Sequence, residues 1–235
     1  MVPVTSSDAA VRGGLGLRRK IGLVSPVLGA AGHRLLSHPR VDAIYCEYLF
    51  ASHCVVRASV PLMKAALQRA ESMDDPLAGR LTGYLQSHIS EELHHDQWLL
   101  EDLECLGVDR AGVLARPPPA AVAALVGAQY YWTLHYHPIA LLGYMAVLEG
   151  HPPSAEHIDL LMERTGFPPP AFRTLMEHAV LDPGHGDEIF VMLDELSLSE
   201  DLSGVVGLSA MHTVVALAEV IEAVVDAVPS TPHLL

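Results

Sequence analysis

His178, Asp182 and His185 are spaced four and three residues apart, so at about 3.6 residues per turn they share one face of any helix that carries them. Two imidazoles and one carboxylate on one face form a donor set for a mid-row transition metal. That combination holds Fe(II) while leaving positions open for dioxygen and substrate, and zinc is chemically possible as well. A purely structural reading is also open: His178 bonds its neighbours, Asp182 ends the helix before Pro183, and His185 sits in the following turn.

A second stripe bears on that choice. Leu81, Leu85, His88, Glu92, His95, Leu99 and Leu106 follow a four-three spacing, so polar residues interrupt an apolar helical seam at its middle. An ionised glutamate buried without a partner costs several kcal/mol, so an inward Glu92 calls for a cation or a proton. Glu92-x-x-His95 is also the spacing that carboxylate-bridged metal sites use in helical bundles. Glu91 and His94 repeat it about 100° around the helix, off the seam, and are expected to face solvent or support the site from outside. Glu149 follows Pro138, Leu142 and Met145 on another apolar face. Negative charge at that helix's C-terminal end needs compensation. Glu47 and His53 are further candidates, although neither falls on the Leu49, Val56, Val60, Met63, Leu67 seam. Tyr130, Tyr131, Trp132, His135 and Tyr144 are candidates for a pocket wall, with ordinary core packing as the alternative.

The elements that must position these groups read as helices throughout. Residues 1 to 25, rich in glycine and basic side chains, are expected to form a loosely packed arm, followed by one helical metal-binding domain over residues 26–235. Helices are expected from Val41 to Ala70, with Pro61 as a kink or boundary; from Leu77 to Leu106, stopped by Gly107; and from Ala120 to Glu149, kinked at His137-Pro138. A short helix capped by Ser154 runs to Thr165, a helix opened by Pro168–Pro170 carries His178, and a last one spans Leu202 to Val228. Pro183 and Gly184 should distort the helix between Asp182 and His185, since interior proline costs about 3 kcal/mol. No segment alternates with period two, so the expected class is all-α.

Composition fits this picture. The chain has 235 residues, enough for one domain with a sheltered site. Its 28 acidic against 14 basic residues give a formal charge of −14, which argues against nucleic acid or anionic membrane as partners. Cys46, Cys54 and Cys105 form no Cys-x-x-Cys pair and read as reduced. No leader pattern is expected at the N-terminus, which makes the cytoplasm the expected compartment. Residues 204–228 are apolar but carry His212, Glu219, Glu222 and Asp226, so a buried amphipathic helix is expected there rather than a membrane span.

Taken in order, Glu92-Leu93-His94-His95-Asp96 with Trp98 and the Asp102-Leu103 pair, Glu149 ahead of a proline turn, and His178-x-x-x-Asp182-x-x-His185 resemble the haem-oxygenase-like diiron oxidases and oxygenases. These iron-containing redox enzymes are relatives in fold of haem oxygenase and thiaminase. The resemblance implies a haem-oxygenase-like bundle of about six to seven helices, with Glu92, His95, Glu149, His178, Asp182 and His185 as ligands to a pair of Fe(II) ions. It implies dioxygen activation against a small organic acid, amino acid or fatty-acid-like substrate, of the kind met in natural-product biosynthesis. Decarboxylation, carbon–carbon cleavage, N-oxygenation and desaturation are all compatible with such ligands. The chain departs from the family at the first helix, which usually supplies a further carboxylate; Glu47 and His53 are the candidates there. The expected partners are the substrate and dioxygen, and both an external electron donor and a homodimer are compatible. The alternatives are a metal-free thiaminase-like hydrolase using Cys54 or Cys105, and a non-catalytic helical partner protein.

Overall fold

The computed structural model describes residues 13–150 and 152–230, with the side chains of residues 182, 183 and 185 outside that description. All regular structure among the described residues is helical. Helices α1 (Gly14–Ser37), α2 (Val41–Glu71), α3 (Pro76–Glu91), α4 (His95–Cys105) and α5 (Arg110–Ala115) form the first half. Helices α6 (Ala120–His135), α7 (Leu141–Leu148), α8 (Ala155–Thr165), α9 (Arg173–Glu195) and α10 (Glu200–Ala227) form the second. Short 3-10 turns, Pro138–Ala140 and Pro169–Phe172, lead into α7 and α9. Helix α2 packs against α3, α4 and α6, while α10 packs along α1, α7 and α6, and α9 bridges α1, α4 and α7.

Helix α1 replaces much of the expected loose arm. Leu17, Ile21, Ala31 and Leu35 are buried and Val24 and Leu28 partly so, a four-three stripe that lies along α10. Its ends are tied down electrostatically. The Gly14 N–H donates to Asp194 Oδ1 at 2.7 Å, supplying the cap that Gly13 lacks. The Arg18 guanidinium pairs with Asp187 at 3.0 Å and lies over the Phe190 ring, and Arg34 pairs with Asp226 and Glu222. Residues 1–12 of the expected arm lie outside the described residues.

Four other expectations are refined in detail. Pro61 neither ends nor divides α2. The single helix expected over Leu77–Leu106 is two, because His94 takes a left-handed backbone with φ 78° between α3 and α4. The helix expected over Ala120–Glu149 breaks at His137-Pro138, where the His137 ring accepts the Ile139 N–H at 3.1 Å and donates to Asp75 at 3.0 Å. That donor ties the break to the N-cap of α3, where Asp75 also accepts the Leu77 N–H. The helix expected to distort at Pro183-Gly184 continues across them, from Arg173 to Glu195. Buried Phe172 at one end and buried Ile189, Phe190 and Leu193 at the other anchor both halves, which offsets the one hydrogen bond proline removes.

Helix α7 is buried from Leu141 to Val147. It approaches the α10 backbone so closely at Gly143 that a side chain there would strike Val206 and Ala210. Helix α10 is long and apolar enough to cross a membrane by length and composition alone; half of its most apolar window is buried against the other helices.

Candidate metal centre

The break between α3 and α4 sits at the centre of the site. Glu92 caps the end of α3, its N–H bonded to the His88 carbonyl at 3.0 Å, and His95 is the first residue of α4. The Glu92 carboxylate stands 3.0 Å from His95 Nδ1. Opposite them, α9 delivers His178. Ligand atoms of Glu92, His95 and His178 all lie within 4.8 Å of one another. The imidazoles of His95 and His178 meet edge to face, with ring centroids 5.2 Å apart, and Trp98 stacks on His95 at 4.0 Å.

His178 Nδ1 donates to the Thr174 carbonyl at 2.8 Å. A carbonyl only accepts, so this bond fixes the tautomer and leaves Nε2 as the nitrogen with a lone pair to give, the usual outer support of a metal-binding histidine. Thr174 is held in turn, its N–H donating to the fully buried Asp102 at 3.1 Å. Asp102 on α4 thus caps α9 from outside. Burial pushes the Asp102 carboxyl up, with the bonds from Thr174 pulling against it. Tyr45 on α2 adds a second anchor, donating to the Ala171 carbonyl at 2.9 Å and stacking on Phe172.

Glu149, at the end of α7, lies beside a residue the ligand reading passed over. Its carboxylate is 2.9 Å from His88 Nε2 on α3, and His88 stacks on Tyr84. His88 is 1% exposed, and although burial favours its neutral form, the Glu149 hydrogen bond and charge, with Glu92 and Glu91 behind, raise its pKa. For Glu92 the balance runs the other way. Burial pushes the carboxyl up, but the bond and charge of His95, joined by His88 and His178, bring it below the ordinary range. Close packing fixes the distance between Glu149 and α9: a side chain at Gly186 would meet the Glu149 backbone at 3.0 Å.

The structure therefore brings Glu92, His95 and His178 together and sets Glu149 next to them through His88. The side chains of Asp182 and His185 lie outside the described residues. Glu47 and His53 are elsewhere. Glu47 forms a two-point ion pair with Arg116, and His53 Nδ1 faces the Asp96 carbonyl at 3.2 Å. Glu91 is exposed, accepts a hydrogen bond from Ser87 and stands 3.5 Å from His88 Nδ1, behind the site. Of the proposed aromatic wall, Tyr144 alone lines the cavity beside the cluster. Tyr131 is exposed, while Trp132 packs edge-on against His212.

That cavity has a volume of about 920 Å³. Glu92, Glu149 and His178 line its inner end, and most of its wall is aliphatic, from Leu99, Leu141, Met145, Leu175, Leu217 and Ile221 among others. No lysine or arginine is among the described lining residues. Cys54 is in the core, with burial pushing its thiol up, and neither it nor the exposed Cys105 reaches the cavity.

A family model of iron-containing redox enzymes matches residues 46–217. The chain belongs to that family. The haem-oxygenase-like fold is shown as well: a solved domain of unknown function with that fold, from Shewanella denitrificans, superposes with a TM-score of 0.77 at 21% identity, covering 90% of this chain and 91% of that one. A TenA homologue from Pseudomonas syringae pv. tomato superposes with a TM-score of 0.67 at 14% identity, covering 87% and 92%. No curated protein matches the chain. Membership of the iron-containing family agrees with the donor set, since two imidazoles and a carboxylate suit iron better than the all-oxygen shells of magnesium or calcium.

Proposed function

We propose that this iron-containing redox enzyme is a non-haem diiron oxidase or oxygenase that activates dioxygen against a substrate with an aliphatic chain and one acid head. The observation that carries the reading is the convergence of Glu92, His95 and His178 at the inner end of a large, mostly aliphatic cavity. Glu92, His95 and His178 would hold one ion, and Glu149, Asp182 and His185 are the proposed holders of a second. Bound iron would supply the binding and reduction of dioxygen.

The chain's own residues account for the rest. Thr174 and Asp102 orient His178, and Trp98 orients His95. His88 bonds the Glu149 carboxylate within the buried end and is placed to hold a proton there. Among organic acids, amino acids and fatty-acid-like molecules, the lining favours the last. A free amino acid offers two charged groups to a wall with no lysine or arginine among its described residues, whereas an alkyl chain buries itself against aliphatic side chains at about 0.8 kcal/mol per methylene. With no lysine or arginine among the described lining residues, the acid head is assigned to the metal end.

Anaerobic titration with Fe(II), read by Trp98 fluorescence and by metal analysis, tests the reading. Stoichiometric binding that is lost in Glu92→Gln and His178→Ala, followed by oxygen consumption that straight-chain acids accelerate, is the expected result. No iron uptake by the wild type would refute it.

A further inference from the structure

The cavity's outer wall is supplied by α1, which lies outside the residues that match the family model. Ser25, Leu28, Gly29, Gly32, His33 and Leu36 line it, falling on one helical face at three- and four-residue spacing. Gly29 and His33 are exposed, and so are Ser154 and His157 across from them on the approach to α8. Glu92, with its side chain 11% exposed, lies at the other end. The cavity therefore runs from the buried carboxylate–histidine cluster to an opening between α1 and the start of α8.

Two glycines in mid-helix at that opening need a reason, since glycine is the least favourable helix residue after proline. Conformation does not supply one, because both lie within the regular helix α1 and neither has a positive φ. Packing does not supply one either: a side chain added at Gly29 or Gly32 would meet no atom within 4 Å. What the two positions leave open is cavity.

We propose that Gly29 and Gly32 determine substrate length, leaving a path through which the distal end of an aliphatic chain passes while its acid head sits at the Glu92–His178 end. This rests on the aliphatic-substrate reading given above. A leucine at either position places a branched four-carbon side chain in that path. Longer ligands then lose the burial of their terminal methylenes, while ligands too short to reach α1 bind as before. Each methylene kept from the wall costs about fourfold in affinity, so exclusion of three costs on the order of sixtyfold.

The test uses binding rather than turnover. The n-alcohols from hexanol to hexadecanol are measured by displacement of an apolar fluorophore from the metal-free protein, and the matching carboxylic acids by calorimetry on the iron-loaded protein. The proteins are the wild type, Gly29→Leu, Gly32→Leu and Gly22→Leu. Gly22 is equally open in its surroundings but lies off the cavity. The expected result is that Gly29→Leu and Gly32→Leu weaken hexadecanol on the order of sixtyfold and leave hexanol unchanged, with Gly22→Leu matching the wild type at every length. Gly29→Ala and Gly32→Ala, which add one carbon, should weaken the longest alcohols about fourfold. Length profiles in the Gly29 and Gly32 variants that match the wild type overturn this inference alone. A wild type that binds no alcohol or acid of any length overturns the aliphatic-substrate reading, and the inference falls with it.

Discussion

Replacing Asp102 tests whether the metal-binding face of α9 is set from α4. Asp102 is fully buried and accepts the Thr174 N–H at 3.1 Å, and the Thr174 carbonyl accepts the proton of His178 Nδ1 at 2.8 Å. In Asp102→Ala the buried N–H loses its acceptor, a cost of about 1–3 kcal/mol. For a chain of this size that lowers Tm by roughly 2–12 °C. Because the first turn of α9 is then free to shift His178, metal affinity should fall about 10–100-fold, as it does when the outer support of a ligand is removed. Asp102→Asn keeps an acceptor oxygen and the volume, so its cost should be about 1 kcal/mol or less. Both variants also differ from the wild type in pH dependence, because neither carries the carboxyl. Burial raises the folded pKa of Asp102, so between the unfolded and folded values the native state binds more protons than the unfolded chain. That contribution is fully present below the unfolded pKa and is lost as pH rises through the folded value. Asparagine removes the slope, and Asp102→Asn should gain on the wild type as pH rises across that window. Thermal melts of the metal-free proteins over an acid pH series, with Co(II) titrations at neutral pH, measure all of this. An unchanged Tm in Asp102→Ala, or the same pH slope in Asp102→Asn as in the wild type, would refute the reasoning.

Glu47→Gln should leave metal stoichiometry unchanged, because Glu47 pairs with Arg116 rather than with the cluster; metal analysis checks this, and the lost surface pair costs no more than about 1 kcal/mol. Asp75→Ala removes the N-cap of α3, at about 1 kcal/mol in urea unfolding. The Asp75 carboxyl is held below its ordinary value, first by the hydrogen bond from His137. Its contribution is therefore present above the unfolded pKa and lost as pH falls through the folded one, the opposite sign to Asp102, and the variant should show a flatter acid limb. His94→Gly should raise stability by about 1 kcal/mol, since a non-glycine residue in the left-handed region costs about that much; a lower Tm would show that the imidazole is held there by contacts worth more than the strain.

How much of this was legible in the sequence varies with the physics behind each feature. The Glu92-x-x-His95 pair and His178 were readable because donor type and spacing are local, and Ser154 announced α8 by its capping chemistry. Helix α1 was equally written in the sequence, as Leu17, Ile21, Val24, Leu28, Ala31 and Leu35. Six glycines and three consecutive basic residues between Gly13 and Lys20 and beyond hid the stripe, because glycine reads as a breaker until a partner helix repays its entropy. The pairing of Glu47 with Arg116 was not legible, since the two are 69 residues apart and only the fold decides which acid meets which base. His88 was visible on the stripe, but its partner Glu149, 61 residues away, was not.

The division of α3 from α4 escaped the sequence for a more instructive reason. Periodicity reports which residues face inward, and the stripe from Leu81 to Leu99 does face inward on both sides of the break. A single left-handed residue redirects the chain within three positions, so the seam resumes almost in phase and leaves no gap in the pattern. What changes is direction. Both helices pack on α2, and the one that His95 begins docks on α9 as well. Along one straight helix, both side chains would point at the same neighbour and His178 would have to come to them. With the break, α4 is turned so that Asp102, two turns beyond His95, caps the very helix that carries His178. The strain at His94 and the buried carboxyl of Asp102 are then two costs of one arrangement, in which the element that supplies His95 also fixes the orientation of His178.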